Sequence, residues 1–161
     1  MKDLIDNLIS EWSHERPDLD ANSMHVVGRI LKISKILEKR ANLSLKEYGI
    51  HYTDLDVLAT LRRSGNRYEL SPKELMQSVL ITSGAMTALL DRLTKLKLIY
   101  RTPDAKDGRI KKAGLTKTGI ILIDQAIETR FQEADDSIQS LIKQEREQLG
   151  FLLKKMLGSF D

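Results

Sequence analysis

The chain of 161 residues contains no cysteine, which excludes disulfides, thiolate metal sites and cysteine-based redox sensing. It lacks an apolar run approaching the roughly 18 residues of a membrane-spanning helix. Its start, MKDLIDNLISEWSHERPDLD, lacks the apolar stretch of a signal peptide. Internal repeats and low-complexity linkers are missing as well. We therefore expect no membrane segment, a cytoplasmic location, and one ordinary domain with or without an oligomerisation appendage.

Catalytic and metal-binding motifs are missing too. We find no nucleophile paired with a base and no phosphate-binding glycine loop. The histidines, His14, His25 and His51, do not have the spacing of metal ligands. A zinc site needs two or more such ligands to converge with acids. We therefore expect no enzymatic activity, no cofactor and no metal.

Positive charge is present but unevenly distributed. Residues 82–117 contain nine lysines and arginines but only three aspartates, a net of +6, whereas the whole chain carries +3. The positive field therefore belongs to one segment. Such a field is typical of a surface that binds a polyanion, although a solvated basic face gives the same pattern.

Apolar spacing predicts helices along most of the chain. Capping-box patterns predict helix starts at Thr53, with Asp56 three residues on, and at Ser71, with Glu74. Further helices are predicted over 4–12, from about 20–23 to 45, from 82–84, from Thr116 to about Ile138, and over 145–158.

Two of these helices are short and tightly joined, which is the helix-turn-helix pattern. The second helix is predicted to turn its leucines and methionine inward (Met86, Leu89, Leu90, Leu93 and Leu96). The stretch 98–115 then has two short runs around a turn at 104–108, which predicts a β-hairpin, with one more short strand near 67–70. A basic hairpin directly after a helix is what a DNA-binding wing needs.

The helices at both ends carry more apolar surface than a small helix-turn-helix core can cover. We expect these surfaces to form a two-fold dimer interface, the alternative being that they fold back on the chain's own core. The predicted division is residues 1–45 for dimerisation, 46–118 for DNA binding and 119–161 for dimerisation.

The wing carries the pattern Asp107-x-Arg109-x5-Leu115-Thr116-x-x-Gly119, and residues 82–93 read TSGAMTALLDRL. In both segments the chain resembles the MarR family of winged-helix regulators, over about residues 25–157. The resemblance implies a mainly α fold, with a two-stranded β-wing and a helical dimerisation region. It also implies a homodimer that binds a pseudo-palindromic operator, usually as a repressor, and that small molecules release from DNA.

Nine residues are predicted to contact DNA: Thr82, Ser83, Gly84, Thr87, Arg92, Lys106, Asp107, Arg109 and Lys111. Arg109 suits a narrow minor groove, and Asp107 would orient it through a charge-assisted hydrogen bond. The wing lysines, Lys112 included, would contact phosphates. Arg92 has two open alternatives, a pair with the wing or a phosphate contact. Thr82 or Ser83 also suits a helix cap.

The N-terminal extension resembles a branch of that family that includes urate-responsive regulators. Trp12, Asp56 and Arg101 match three positions that surround an anionic ligand in that branch, whereas Leu89 replaces an expected arginine. This departure disfavours urate itself, and we expect another acidic or aromatic metabolite. Asp56 also suits the cap of the helix at Thr53, and Trp12 also suits a dimer anchor. The alternative function is a winged-helix protein-interaction module without DNA binding.

Overall fold

The computed structural model describes residues 2–65, 67–79, 83–104 and 107–160, and of Ser83 and Gly84 only the backbone. The chain divides into two compact units, Met1–Arg40 and Ala41–Asp161. Across the described residues, no helix combines the length and the hydropathy that crossing a membrane requires.

The first unit consists of α1 (Leu4–Glu15) and most of α2 (Met24–Ser44). The side chain of Asp3 caps α1 and accepts a hydrogen bond from the backbone N–H of Asp6 (3.0 Å). The guanidinium of Arg29, on α2, donates to Asp3 (2.9 Å) and to Asp6 (2.7 Å). These contacts fasten the start of α1 to α2.

The second unit contains the remaining helices and a small sheet. Its elements are a 3-10 turn (Lys46–Tyr48), α3 (Tyr52–Arg63), β1 (Glu69–Leu70), α4 (Pro72–Met76), α5 (Ser83–Lys95), β2 (Ile99–Pro103), β3 (Lys111–Leu115), α6 (Lys117–Ser137) and α7 (Lys143–Leu157). Within the described residues the sheet is antiparallel, with three strands in the order β1–β3–β2. The mainly α fold is thus confirmed. The hairpin β2–β3 is the predicted wing, and β1 adds the short strand expected near 67–70.

Two predicted helix starts are confirmed by their caps. The carboxylate of Glu74 accepts a hydrogen bond from the backbone N–H of Ser71 (2.7 Å), and Pro72 is the first residue of α4. At α6, the hydroxyl of Thr116 accepts from the N–H of Gly119 (3.0 Å). Both caps satisfy N–H groups that a helix start otherwise leaves unpaired.

The predicted start of α3 is wrong by two residues. The cap is His51 rather than Thr53, and the carboxylate of Asp54 accepts from the N–H of His51 (2.8 Å). The backbone is still extended at His51 and helical from Tyr52 onward, so Asp56 lies inside the helix and does not cap it. Two capping patterns overlap here, His51 with Asp54 and Thr53 with Asp56, and the first of them forms the cap.

The hydrophobic core of the second unit joins α3, α5, the sheet and α6. Leu58 and Leu61 come from α3, Leu90 and Leu93 from α5, and Ile123 from α6, and all are fully buried. Burying these side chains fixes α5 against the rest of the unit and leaves its opposite face in solvent.

Candidate nucleic-acid interface

The helix α5 presents one buried and one exposed face. Met86 and Leu90 are buried, as the spacing predicts, whereas Thr87 and Ala88 on the other side are exposed. Leu96 was expected to face inward, but it is 45% exposed because α5 ends at Lys95, one residue before it. The exposed face has small side chains, which permits a close approach to a flat or grooved partner.

Two of the predicted DNA contacts, Ser83 and Gly84, fall at the start of α5. Thr82 lies outside the described residues. Ser83 begins the helix and Gly84 follows it, so both backbones lie in the first turn of α5. Since the N-terminal residues of a recognition helix are those that contact base edges, this position fits the prediction.

Arg92 contacts a buried acid of α3. Its guanidinium forms an ion pair with the carboxylate of Asp54, whose side chain is 0% exposed, while Arg92 itself is 38% exposed. The sequence left the wing and a phosphate as partners for Arg92, and the structure gives it a third partner, on α3. The sequence analysis did not identify Asp54 as a functional residue. Its place in the first turn of α3, a helix with an apolar face, could have indicated it.

Asp107 and Arg109 contact each other in the wing, as their spacing predicts. The guanidinium of Arg109 donates to both carboxylate oxygens of Asp107, at 3.1 and 3.3 Å. These hydrogen bonds lower the pKa of the Asp107 carboxyl. The side chain of Arg109 is 92% exposed. The predicted hydrogen bonding between Asp107 and Arg109 is therefore present, the guanidinium of Arg109 lies in solvent, and the orienting role of Asp107 stays a prediction.

The lysines of the wing differ in their surroundings. Lys106 lies outside the described residues. Lys112 forms an ion pair with Asp104 (2.7 Å), and this contact raises the pKa of the Lys112 ammonium. Lys111 is exposed. Of the two described lysines, Lys111 is thus the one whose charge is available to a phosphate. A phosphate contact of Lys112 would compete with its ion pair to Asp104.

The rest of the wing pattern is structural. The hydroxyl of Thr116 donates to the backbone carbonyl of Lys97 (2.7 Å) while it caps α6, so it ties the end of the sheet to the turn that precedes β2. A Cβ atom built on Gly119 overlaps the carbonyl oxygen of Leu98. Only a glycine lets the first turn of α6 approach that backbone.

Arg101 lies on β2, one of the two strands of the wing. Its guanidinium donates to the backbone carbonyl of Lys111 (3.1 Å). It lines an open hollow between the start of α4 and the hairpin, together with Ser71, Pro72, Lys73, Arg109, Ile110 and Lys111. This hollow does not include Asp56, which is half-buried in α3.

Trp12 belongs to the first unit. Its side chain is 56% exposed and lines an apolar hollow of about 370 Å³ between α1 and the start of α2. The other apolar lining residues are Ile5, Leu8, Ile9, Leu19, Ala21 and Met24, and Asp20 supplies the carboxylate. Over the described residues, no group of three or more histidines and acids has a geometry that holds a metal ion.

Several known proteins are similar to this chain in sequence. A family model described as "MarR family" matches residues 48–110. The HTH-type transcriptional regulator SarZ of Staphylococcus epidermidis is 30% identical over 116 residues, which cover 68% of this chain and 76% of that protein. The HTH-type transcriptional regulator PecS of Dickeya dadantii is 29% identical over 152 residues, covering 94% of this chain and 92% of that protein.

A solved structure shares the fold over nearly the whole chain. A mutant MarR from E. coli, complexed with operator DNA, superposes with a TM-score of 0.74 at 24% identity. The superposition covers 97% of this chain and 99% of that one.

Proposed function

Because this chain belongs to the MarR family of DNA-binding transcriptional regulators, we propose that it works in the cytoplasm as a homodimeric repressor. The dimer binds a pseudo-palindromic operator near its own promoter, and a small anionic or aromatic effector releases it. Two-fold symmetry in the protein matches two-fold symmetry in such an operator, with one wing and one α5 for each half-site.

One observation carries the proposed DNA contact. The exposed face of α5, with Thr87 at its centre, belongs to the same unit as a hairpin whose Arg109 is oriented and solvent-exposed. The helix suits the major groove, and the arginine suits the adjacent minor groove. The operator complex of the E. coli relative, which shares this fold, supports the assignment.

The apolar faces of the terminal helices support the dimer. Large apolar side chains are exposed on α1 and α2 in the first unit (Leu4, Leu8, Trp12, Leu31 and Ile33) and in and beside α7 in the second (Ile142, Leu149, Phe151, Leu153 and Leu157). Exposing apolar faces of this extent to water is unfavourable in free energy. A two-fold interface would bury the same face of both subunits. We therefore assign residues 1–45 and 119–161 to dimerisation and residues 46–118 to DNA binding.

The apolar hollow beside Trp12 supports an aromatic effector. Its walls are almost entirely apolar, and an indole offers a face on which an aromatic ring can stack. Asp56 stays in the proposed effector set with Trp12. Arg101 is the third member of this set expected from the sequence.

Binding to the chain's own upstream DNA tests the proposed function. Fluorescence anisotropy should show saturable binding to a labelled upstream fragment, and much weaker binding to a scrambled fragment of the same length and composition. Aromatic acids that quench Trp12 should release the protein from the first fragment. Equal binding to both fragments contradicts an operator, and no binding to either favours the protein-interaction module.

A further inference from the structure

A hollow that the proposed function does not use lies in the second unit, between α3 and α6, and is here called the α3–α6 hollow. Its volume is about 340 Å³. Sites for small organic ligands range from about 300 to about 1,000 Å³. The lining residues are Ala59, Arg62 and Arg63 from α3, and Ile123, Ile127 and Phe131 from α6.

The walls of the hollow are apolar and continue the hydrophobic core outward. Ile123 is fully buried, and Ala59 and Ile127 are half-buried and pack against the same core. Phe131, one helical turn beyond Ile127, is 69% exposed. A ligand that covers Ile127 and Phe131 removes their apolar surface from water, which favours its binding.

One of the two arginines is already committed to neighbouring groups. The guanidinium of Arg62 donates to both carboxylate oxygens of Asp124, at 2.8 and 3.3 Å, and to the hydroxyl of Tyr68 (3.0 Å). The charge of Arg62 is therefore compensated by Asp124. Because three hydrogen bonds hold its guanidinium, Arg62 does not fold over the apolar walls and leaves them open.

Arg63 has no such counterion. Its Nη2 donates to the hydroxyl of Thr60 (2.8 Å) and to the backbone carbonyl of Ser78 (3.1 Å), which are neutral acceptors. Among the described residues, no carboxylate lies within ion-pair distance of Arg63, and its Nε and Nη1 have no hydrogen-bond partner. The hollow therefore combines apolar walls with one uncompensated cation.

The lining defines the chemistry of the ligand. Guanidinium groups only donate hydrogen bonds, and the other four lining side chains have no polar atoms, so the polar end of the ligand must accept. A carboxylate accepts from two N–H groups at once and supplies the negative charge that Arg63 lacks. A flat ring stacks on an aromatic face, and here only Phe131 offers one, whereas a flexible chain can follow the aliphatic side chains.

We propose that the α3–α6 hollow binds a carboxylate with an aliphatic chain. Arg63 holds the carboxylate, and the chain covers Ile127 and Phe131. The site is separate from the hollow beside Trp12, which belongs to the first unit. Binding there needs no DNA, so it can be measured whether or not the chain binds an operator.

Octanoate is the probe, and isotope-labelled isoleucine methyl groups locate it by NMR. The signals of Ile123 and Ile127 should shift saturably, whereas those of Ile5 and Ile9, which line the hollow beside Trp12, should not. Butyrate has four fewer methylenes and should bind at least about tenfold more weakly, because each buried methylene stabilises the complex.

An uncharged ligand isolates the contribution of Arg63. Arg63→Gln should weaken octanoate binding about fivefold, the upper end for an exposed ion pair, and Arg63→Lys should keep most of the affinity. Octan-1-ol carries no charge and should bind Arg63→Gln as it binds the wild type. Arg67→Gln is the matched control, because Arg67 is an exposed arginine of the same unit that does not line the hollow. It should leave the affinity for octanoate unchanged.

Phe131→Ser and Ile121→Ser form a matched pair for the apolar wall. Both side chains lie on α6 and are exposed, by 69% and 63%, but only Phe131 lines the hollow. Phe131→Ser should weaken octanoate binding about tenfold, and Ile121→Ser should leave it unchanged. Far-UV circular dichroism and the melting temperature establish that each variant is folded before affinities are compared.

Three results would overturn the assignment. If octanoate shifts only the signals of Ile5 and Ile9, it binds beside Trp12 instead. If Arg63→Gln binds octanoate as tightly as the wild type does, Arg63 does not hold the carboxylate. If octanoate shifts none of these signals, the hollow does not bind it, and a lower mass of Phe131→Ser in analytical ultracentrifugation would show that a second copy of the chain covers this face.

Discussion

The guanidinium of Arg92, on α5, forms an ion pair with the fully buried carboxylate of Asp54, on α3. The carboxylate also accepts the N–H of His51 (2.8 Å), so one acid both caps α3 and holds α5. Its other oxygen, Oδ1, has no hydrogen-bond partner among the described residues. This ion pair therefore holds α5 against α3, and removing either partner would leave a charge without its counterion.

Arg92→Ala should therefore lower the free energy of unfolding by about 3 kcal/mol, the lower end of the range for breaking a buried pair. The lower end applies because Arg92 itself is 38% exposed. Urea denaturation measures the change. The double variant with Asp54→Asn should be more stable than Arg92→Ala alone, because no buried charge remains. A loss within about 0.5 kcal/mol, as at ordinary surface sites, would contradict the role of this pair.

The same variant separates anchoring from DNA contact. If Arg92 positions α5, its removal weakens operator binding but leaves the salt slope unchanged. If Arg92 touches a phosphate, the slope falls by about 0.9. Anisotropy titrations at several salt concentrations distinguish the two.

Local patterns in the sequence predicted local structure well. Ser71 with Glu74 and Thr116 with Gly119 cap helices as expected, because a cap is decided by residues three positions apart. The contact of Asp107 with Arg109 is equally local. The start of α3 was mispredicted because two polar patterns overlap within a few residues, and a sequence gives no means of ranking them.

Contacts between distant segments were not predictable in this way. The pair of Arg92 with Asp54 and the hollow that joins Arg101 to Lys73 depend on how α5, α3, α4 and the hairpin pack. How these elements pack depends on the whole hydrophobic core and cannot be read from the spacing of residues within one segment. The fold, the wing and the partner of Arg109 were therefore predicted, whereas the partners of Arg92 and Arg101 needed the structure.

Gly119→Ala should destabilise the second unit. A Cβ at this position overlaps the carbonyl oxygen of Leu98, which is backbone and has little room to move. We expect a loss of about 3 kcal/mol in the free energy of unfolding, the upper end for overpacking. Gly150→Ala is the matched control, because a Cβ there meets nothing within 4 Å, and alanine favours the helix. Equal urea midpoints for the two variants would contradict the close approach of Gly119 to the carbonyl oxygen of Leu98.

Arg109→Ala should weaken operator binding and reduce the salt slope by about one unit, as expected for a single lost ionic contact. Asp107→Asn keeps that charge but loses the carboxylate that orients it, so its affinity should fall while the slope stays close to that of the wild type. Arg16→Ala removes another exposed arginine that is paired with an aspartate two residues away (2.7 Å), and it should change neither quantity. An unchanged slope and affinity for Arg109→Ala would exclude the arginine from the interface.

Acid should release α1 from α2. The pKa values of Asp6 and Asp3 are lowered, each chiefly by the other's backbone N–H and further by Arg29. Since the folded state has the lower pKa values, their stabilisation is complete above the unfolded aspartate pKa of about 3.9 and is lost as the pH falls through the folded values. Trp12, the chain's single tryptophan, lies on α1 and reports the release by its fluorescence.

Asp6→Asn removes one of the two carboxylates that Arg29 contacts. Its Trp12 emission should already differ from the wild type at about pH 6 and should change less on acidification to about pH 3. Asp18→Asn is the control, because Asp18 also has a lowered pKa, through Arg16, but its ion pair lies outside the helices. It should keep the full acid response. If Asp6→Asn keeps that response as well, the contact of Arg29 with Asp6 is not what holds α1 to α2.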